Sequence, residues 1–273
     1  MENMKHYRRV MTIAGSDPSG GAGIQADIKT ISACGCFATS AIVAVVDENT
    51  IGVTGVHPVP VEFVTGQMRS ILDDIGTDAV KIGMLHSPEL IRGVRLTLDS
   101  YPEITDIVLD PVMVATSGDP LLLPEAVATL RDELLPRARV ITPNIPEAEL
   151  LSGSRITTTD QLPDVARELS RLGGTSVYLK AGHLGGEMLT DIFYNAESGT
   201  LTPLESPRTD TPNTHGTGCT LSSALASFLA KGATLDRAAR LAKEYINAAI
   251  AAGAAYRIGR GHGPVHHFHA YWE

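Results

Sequence analysis

A chain of 273 residues with 43% apolar content can bury a large core and lies near the upper limit at which one core remains one domain, so a single domain over 1–273 is expected. Its net charge of −9 excludes a broad basic field for nucleic acid or anionic membrane, and any phosphate must be held by local donors and a few placed cations. Three cysteines without disulfide-type spacing, no signal-peptide pattern and no apolar run of roughly 18 residues predict a cytoplasmic protein with no nucleic-acid or membrane partner.

Short β-branched runs alternate along the chain with segments of helical period. "RRVMTIAG" (8–15) predicts a strand, and "GIQADIKTISACG" (23–35) a helix with Cys34 and Cys36 as core residues at its end. "SAIVAVVD" (40–47) predicts the next strand, and "VEFVTGQMRSILDDI" (61–75) the next helix. The alternation continues through strand "AVKIGML" (79–85), helix "PELIRGVRLTLDSY" (88–101), strand "DIVLDPVM" (106–113), helix "PEAVATLRDELLP" (124–136) and strand "RVITPN" (139–144). From about residue 175 the pattern changes: "SVYLKAG", "MLTDIFYN" and "GTLTPLES" read as strands joined by hairpin-type turns, and two helices, 216–232 and 234–255, close the chain. The order predicts an α/β fold with a mostly parallel sheet, helices on both faces and an antiparallel edge. Ligands of such sheets bind beyond the carboxyl ends of the strands.

Three turns carry chemistry. "AGSDPSGGAGIQAD" (14–27) places Gly15, Gly20, Gly21 and Gly23 between a strand and a helix, where bare backbone can approach a ligand or simply turn tightly. It is neither a Walker loop nor a dinucleotide fingerprint. In "NTHGTGCTLSSALA" (213–226), the amides of Gly216, Thr217, Gly218 and Cys219 sit where a helix begins, and that positive end can hold a phosphoryl group. The same field predicts a more thiolate-like Cys219, although a buried structural cysteine is the common alternative. A hydrolase nucleophile would require a base such as His215, for which the sequence shows no orienting partner. In "ITPNIPEAELL" (141–151), Asn144 and Glu147 either cap a helix or hold Mg²⁺ through water beside nucleotide phosphates. Asp110 in "VLDPVM" stands at another strand end.

Taken together and in this order, "AGSDPSGGAGIQAD", "KIGML", "LDPVM..SGDPLL", "TPNIPEAELL", "KAGH", "NTHGTGCTLSSALA" and "GRGHGPVHHFHAYW" resemble the hydroxymethylpyrimidine and phosphomethylpyrimidine kinases of thiamine biosynthesis, in the ribokinase-like superfamily. The likeness runs from about residue 10 to 273, and "GTGC" and "GPVHHFHA" are its most discriminating parts. It implies a three-layer ribokinase-like fold, ATP and Mg²⁺ as cofactors, a homodimer, and two phosphorylations, first of 4-amino-5-hydroxymethyl-2-methylpyrimidine and then of its monophosphate. It implies catalytic roles for Cys219, Gly216, Gly218, Lys243 and Asp27, with Cys219 accepting or orienting the substrate proton in the first step. It places Glu48, Gly15 and Met84 at the pyrimidine, Lys180, Asn144 and Thr217 at the nucleotide, and Glu147 and Asp110 at the metal.

Three departures qualify the resemblance. Glu48-Asn49-Thr50 stands where relatives read Gln-Asn-Thr, and a carboxylate offers acceptors where an amide offers one acceptor and one donor. Thr116 replaces a common lysine, and Arg260 replaces another while keeping its charge. The spacing of His262, His266, His267 and His269 fits no familiar zinc pattern. A pyridoxine or pyridoxal kinase of the same superfamily and a catalytically silent pyrimidine-binding protein are the alternatives.

Overall fold

A computed structural model of the chain describes residues 5–113, 122 and 124–272. Its main sheet has eight strands in the order β10-β9-β8-β7-β6-β5-β1-β2. These are β1 Arg9–Ala14, β2 Phe37–Ile42, β5 Ala79–Ile82, β6 Ile107–Leu109, β7 Val140–Ile141, β8 Ser176–Leu179, β9 Met188–Asn195 and β10 Thr200–Pro207. Neighbours from β2 to β8 run parallel, and β9 and β10 form the antiparallel edge.

Strand residues alternate between two cores, as the period of two requires. Met11, Val80, Ile107, Ile141 and Val177 face one core with helices α2 (Val61–Asp74), α3 (Pro88–Asp99), α4 (Pro124–Thr129), α5 (Ile145–Ser152) and α6 (Leu162–Arg171). Val10, Ala79, Val108, Val140 and Tyr178 face the other, with α1 (Gly23–Ala33), α7 (Thr217–Ala230) and α8 (Leu235–Gly253). The result is three layers, with Cys34 and Cys36 buried in the second core.

Three elements depart from the sequence expectation. The run 40–47 is not one strand: the chain leaves the main sheet at Val43, and β3 (Ala44–Glu48) pairs antiparallel with β4 (Val53–Pro58) as a separate ribbon. "VTGVHP" was not expected to be a strand, since its glycine, histidine and proline dilute the β pattern; cross-strand pairing to β3 supplies what local propensity lacks. Helix α6 lies in a stretch assigned no element, although Leu162, Val165, Ala166 and Leu169 bury one face of it. The helix expected over 124–136 passes from α4 into a π turn at Leu130–Leu134 and a 3₁₀ turn at Leu135–Arg137, where Pro136 prevents regular continuation. Thr116 and most of "SGDPLL" lie outside the described residues.

Candidate active site

The strands deliver their carboxyl ends to one crevice. Gly15 follows β1, Met84 follows β5, Asp110 follows β6, Asn144 follows β7 and Lys180 follows β8. Together with the start of α7 and one side of α8 they line a cavity of about 620 Å³. Its position is the one the strand order dictates, beyond the point where the order reverses at β1.

At the centre is the start of α7. Gly216 caps the helix with φ of 77°, and a Cβ there would lie 1.8 Å from the Gly21 carbonyl oxygen, so the close contact between this turn and the first glycine loop requires glycine. The amides of Gly216, Gly218 and Cys219 meet no acceptor among the described residues, which leaves a cluster of donors at the positive helix end. Thr217 and the Cys219 thiol complete the lining there.

The expectation of a thiolate at Cys219 is corrected. Burial pushes the thiol up to about 11; Lys81 pulls it down, while Asp27 and Asp110 push it further up. Desolvation outweighs the helix field, so the sulfur is a protonated thiol at neutral pH.

One wall is acidic and apolar. Glu48, Val46, Met84 and Gly15 line it, and a Cβ on Gly15 would lie 3.0 Å from the Met84 methyl carbon. His215 directs Nε2 toward Asp17 Oδ2 at 2.9 Å and Glu48 Oε1 at 3.9 Å. The orienting partner that the sequence does not reveal is therefore Asp17, 198 positions away. Asp17 also accepts from the Gly21 and Ala22 amides and the Ser19 hydroxyl, which fixes the loop. Burial alone would raise its pKa, but His215 and these donors hold it well below the carboxylate range. Glu48 is shifted upward by burial and by Asp17. The ring nitrogen of His215 facing Asp17 is committed to that carboxylate, and Cys219 remains a thiol; a cysteine-hydrolase pair has no support here.

Another part of the lining carries two lysines, each paired with a carboxylate. Lys180 Nζ lies 2.9 Å from Asp110 Oδ1, which also accepts from Thr142, and the nearby Ser222 hydroxyl donates to the Gly218 carbonyl at 2.9 Å. Burial lowers Lys180, yet Asp110 and Glu147 outweigh it and the net shift is upward. Asn144 and Glu147 realise the capping reading in full: Asn144 Oδ1 accepts from the Glu147 amide at 2.9 Å, and Glu147 Oε2 from the Asn144 amide at 2.8 Å. Both also line the cavity, and burial pushes Glu147 up to about 7 against the pull of Lys180. Lys243 reaches the cavity from α8, paired at 2.7 Å with Asp191, a carboxylate that sequence reasoning does not single out.

Asp27 stands one layer behind this surface. Oδ2 accepts from Lys81 at 2.8 Å and Thr12 at 2.6 Å, and Oδ1 from Ser223 at 2.8 Å. It meets the cavity through Lys81, which does line it. Lys81 also escapes the sequence reading, although a lone lysine inside "AVKIGML" is itself a signal, since a charge in a buried strand needs a partner. The C-terminal histidines pack as a closure: the His266 amide bonds to Ala249, and His267 Nε2 lies 3.2 Å from Thr220 Oγ1.

A mostly parallel sheet between two layers of helices thus carries an amide nest and paired lysines above its carboxyl edge. The family model for phosphomethylpyrimidine kinase matches residues 17–266. A hydroxymethylpyrimidine/phosphomethylpyrimidine kinase of Rhizobium meliloti is 48% identical over 96% of this chain and 98% of its own. A thiamine biosynthesis bifunctional protein of Geobacter sulfurreducens is 46% identical over 94% of this chain and 52% of its own. The solved ADP complex of Bacillus subtilis pyridoxal kinase superposes with a TM-score of 0.90 at 38% identity, covering 98% of this chain and 100% of that one. The chain belongs to the phosphomethylpyrimidine kinase family.

Proposed function

We propose that the protein transfers the γ-phosphoryl group of ATP to the hydroxymethyl group of 4-amino-5-hydroxymethyl-2-methylpyrimidine, and then a second phosphoryl group to the monophosphate, in thiamine biosynthesis. The observation that carries this reading is the acceptor-free amide cluster of Gly216, Gly218 and Cys219, in one cavity with Glu48, Lys180 and Lys243. The Glu48, Met84 and Gly15 side takes the pyrimidine; the Lys180, Asn144 and Thr217 side takes the nucleotide. The same reading takes a cytoplasmic homodimer, as the family resemblance implies.

In each transfer the acceptor oxygen bonds to the γ-phosphorus as the bond to ADP breaks, and catalysis rests on positioning and charge stabilisation. The nest donates to the phosphoryl oxygens, and Lys180 and Lys243 offset their charge. Mg²⁺ would offset the remainder. Asp110 Oδ1 already holds Lys180 and Thr142, and Glu147 Oε2 holds the Asn144 amide, so these oxygens fit a cation held through water better than direct ligation.

As a neutral thiol, Cys219 orients the alcohol instead of removing its proton as a thiolate, and that proton leaves on an oxygen of the transferred phosphoryl group. The monophosphate attacks with an oxygen that is already anionic and needs no such help. Cys219→Ala is therefore expected to slow alcohol phosphorylation about tenfold, the worth of one lost hydrogen bond of about 1.4 kcal/mol, with a smaller loss on the monophosphate. Equal losses in the two steps would remove this role.

The test of the function is product analysis after incubation with Mg-ATP and each candidate alcohol, with monophosphate resolved from diphosphate. Pyridoxal turnover far above pyrimidine turnover would select the second reading, favoured by the similarity to a pyridoxal kinase and by Glu48. Pyrimidine binding without ATP consumption would select a silent binder. Glu48 itself predicts a pH signature. A carboxylate reads an aminopyrimidine edge only when one proton is shared between them, so binding takes up a proton and strengthens as pH falls toward the raised Glu48 pKa. Glu48→Gln restores the donor, so the variant is expected to bind more tightly at neutral pH with a flat profile in calorimetry. Weaker binding by the glutamine variant would contradict this assignment.

A further inference from the structure

The ribbon that carries Glu48 is fastened at both ends. At its base, Ser16 donates its amide to Ala44 O at 2.9 Å and accepts the Val46 amide on Oγ at 3.1 Å. At its tip, between β3 and β4, the fastening comes from a segment more than two hundred positions later. The Thr50 hydroxyl oxygen accepts the Arg260 amide at 3.3 Å and the Gly261 amide at 3.2 Å, and the Thr50 carbonyl accepts the His262 amide at 2.8 Å. The contact is close enough that a Cβ on Gly259 would lie 2.2 Å from Thr50 Oγ1, and one on Gly261 1.9 Å from the Thr50 carbonyl oxygen.

The same segment is fixed to the phosphate side. The buried Asn213 amide group donates to Gly253 O at 2.8 Å and Tyr256 O at 2.7 Å, and the His215 backbone amide donates to Gly263 O at 3.0 Å. Residues 253–263 thus run from the end of α8, past Asn213, to the tip of the ribbon at 260–262, and then meet His215 at Gly263. His215, one residue before the nest cap, directs its ring at Glu48.

We propose that Thr50 is a positioning residue for substrate recognition: its hydroxyl and carbonyl latch the β3–β4 ribbon to residues 260–262, which holds Glu48 at a fixed height over the pyrimidine side of the cavity relative to the nest. Glu48 lies two positions from the latch, and the carboxylate cannot address a ring edge reproducibly on an unfastened two-stranded ribbon, which is marginal in isolation. The inference rests on the kinase reading for its substrate and on the hydrogen bonds alone for its mechanics.

Thr50 sits in a surface turn outside both cores, so its substitution leaves the fold in place. Thr50→Val keeps the shape and removes the acceptor, Thr50→Ala controls for the bulk of valine, and Thr50→Ser restores the acceptor. Losing this accepting oxygen is expected to raise KM for the pyrimidine alcohol about five- to tenfold in Thr50→Val and Thr50→Ala, with KM for ATP and kcat within about twofold and Thr50→Ser close to the unaltered protein. In the ligand-free protein, amide exchange over residues 44–58 is expected to quicken in the first two variants while α7 keeps its protection. An unchanged pyrimidine KM, a parallel loss in ATP KM and kcat, or a serine variant no better than valine overturns the proposal. Failure of the unaltered protein to phosphorylate the pyrimidine would defeat the functional reading instead; the exchange experiment then still decides the latch, and unchanged exchange would overturn it.

Discussion

Gly216→Ala is expected to lower kcat by about 100- to 1,000-fold in both phosphorylation steps, the magnitude associated with losing a preorganised donor to a developing oxyanion. Two independent facts force the loss. The residue has φ of 77°, a region that costs an L residue roughly 1–2 kcal/mol. The new Cβ would also stand 1.8 Å from the Gly21 carbonyl oxygen, and that contact is backbone, which no rotamer change relieves. Either the start of α7 or the loop held by Asp17 must move. The first movement displaces the amides of Gly216, Gly218 and Cys219 directly, and the second pulls on His215, one residue before the cap, through its bond to Asp17. The loss should fall on the two substrates alike, because both transfers pass a phosphoryl group over the same donors, and this distinguishes it from the unequal loss expected for Cys219→Ala. Single-turnover rates on the alcohol and the monophosphate, with circular dichroism to confirm the fold, provide the check. A variant within tenfold of the unaltered protein on both substrates would show that the nest does not carry catalysis.

The legible part of this molecule is the part written in local sequence. Alternation such as Val10/Met11 and Val140/Ile141 announces a two-sided sheet, and the turns at Gly15, Asn144 and Gly216 announce where its ligand edge lies. What stays hidden needs partners distant in sequence. The Asp17–His215 pair joins the first loop to the turn before α7, and β4 becomes a strand only because the chain leaves the main sheet at Val43 and β3 meets it. The thiol of Cys219 shows a different failure. Position at a helix start argues for a lowered pKa, but the opposing effect, burial among Asp27 and Asp110, depends on chain segments that meet only in the folded protein. Arg260 shows the converse: its charge attracts notice in the sequence, whereas the structure uses its backbone amide.

Asp27→Asn is expected to destabilise the fold by about 3–5 kcal/mol, the cost of leaving a buried charge without its partner. The Lys81 and Asp27 side chains are both fully buried, so bulk water does not screen the charge left by the lost carboxylate. The ammonium must then remain unpaired or shed its proton, and the Thr12 and Ser223 hydroxyls lose an anionic acceptor as well. At about 2–4 °C per kcal/mol for a domain approaching this size, the melting temperature should fall by roughly 10 °C. The pH dependence has a definite sign. Burial lowers Lys81, but Asp27 and Asp110 raise it above the usual lysine value, so the stabilisation is complete below that value and is lost only as pH rises through the folded pKa. The deficit of the variant should therefore be present throughout neutral pH. Asp27→Leu combined with Lys81→Met separates stability from catalysis, because an apolar pair of similar volume removes the uncompensated charge and should recover much of the melting temperature. It should not recover turnover if the ammonium that lines the cavity beside Cys219 is used by the reaction. A melting temperature for Asp27→Asn within about 2 °C of the unaltered protein would show that the pair does not hold α1 to the sheet. Full activity in the stable double variant would confine Lys81 and Asp27 to a structural role.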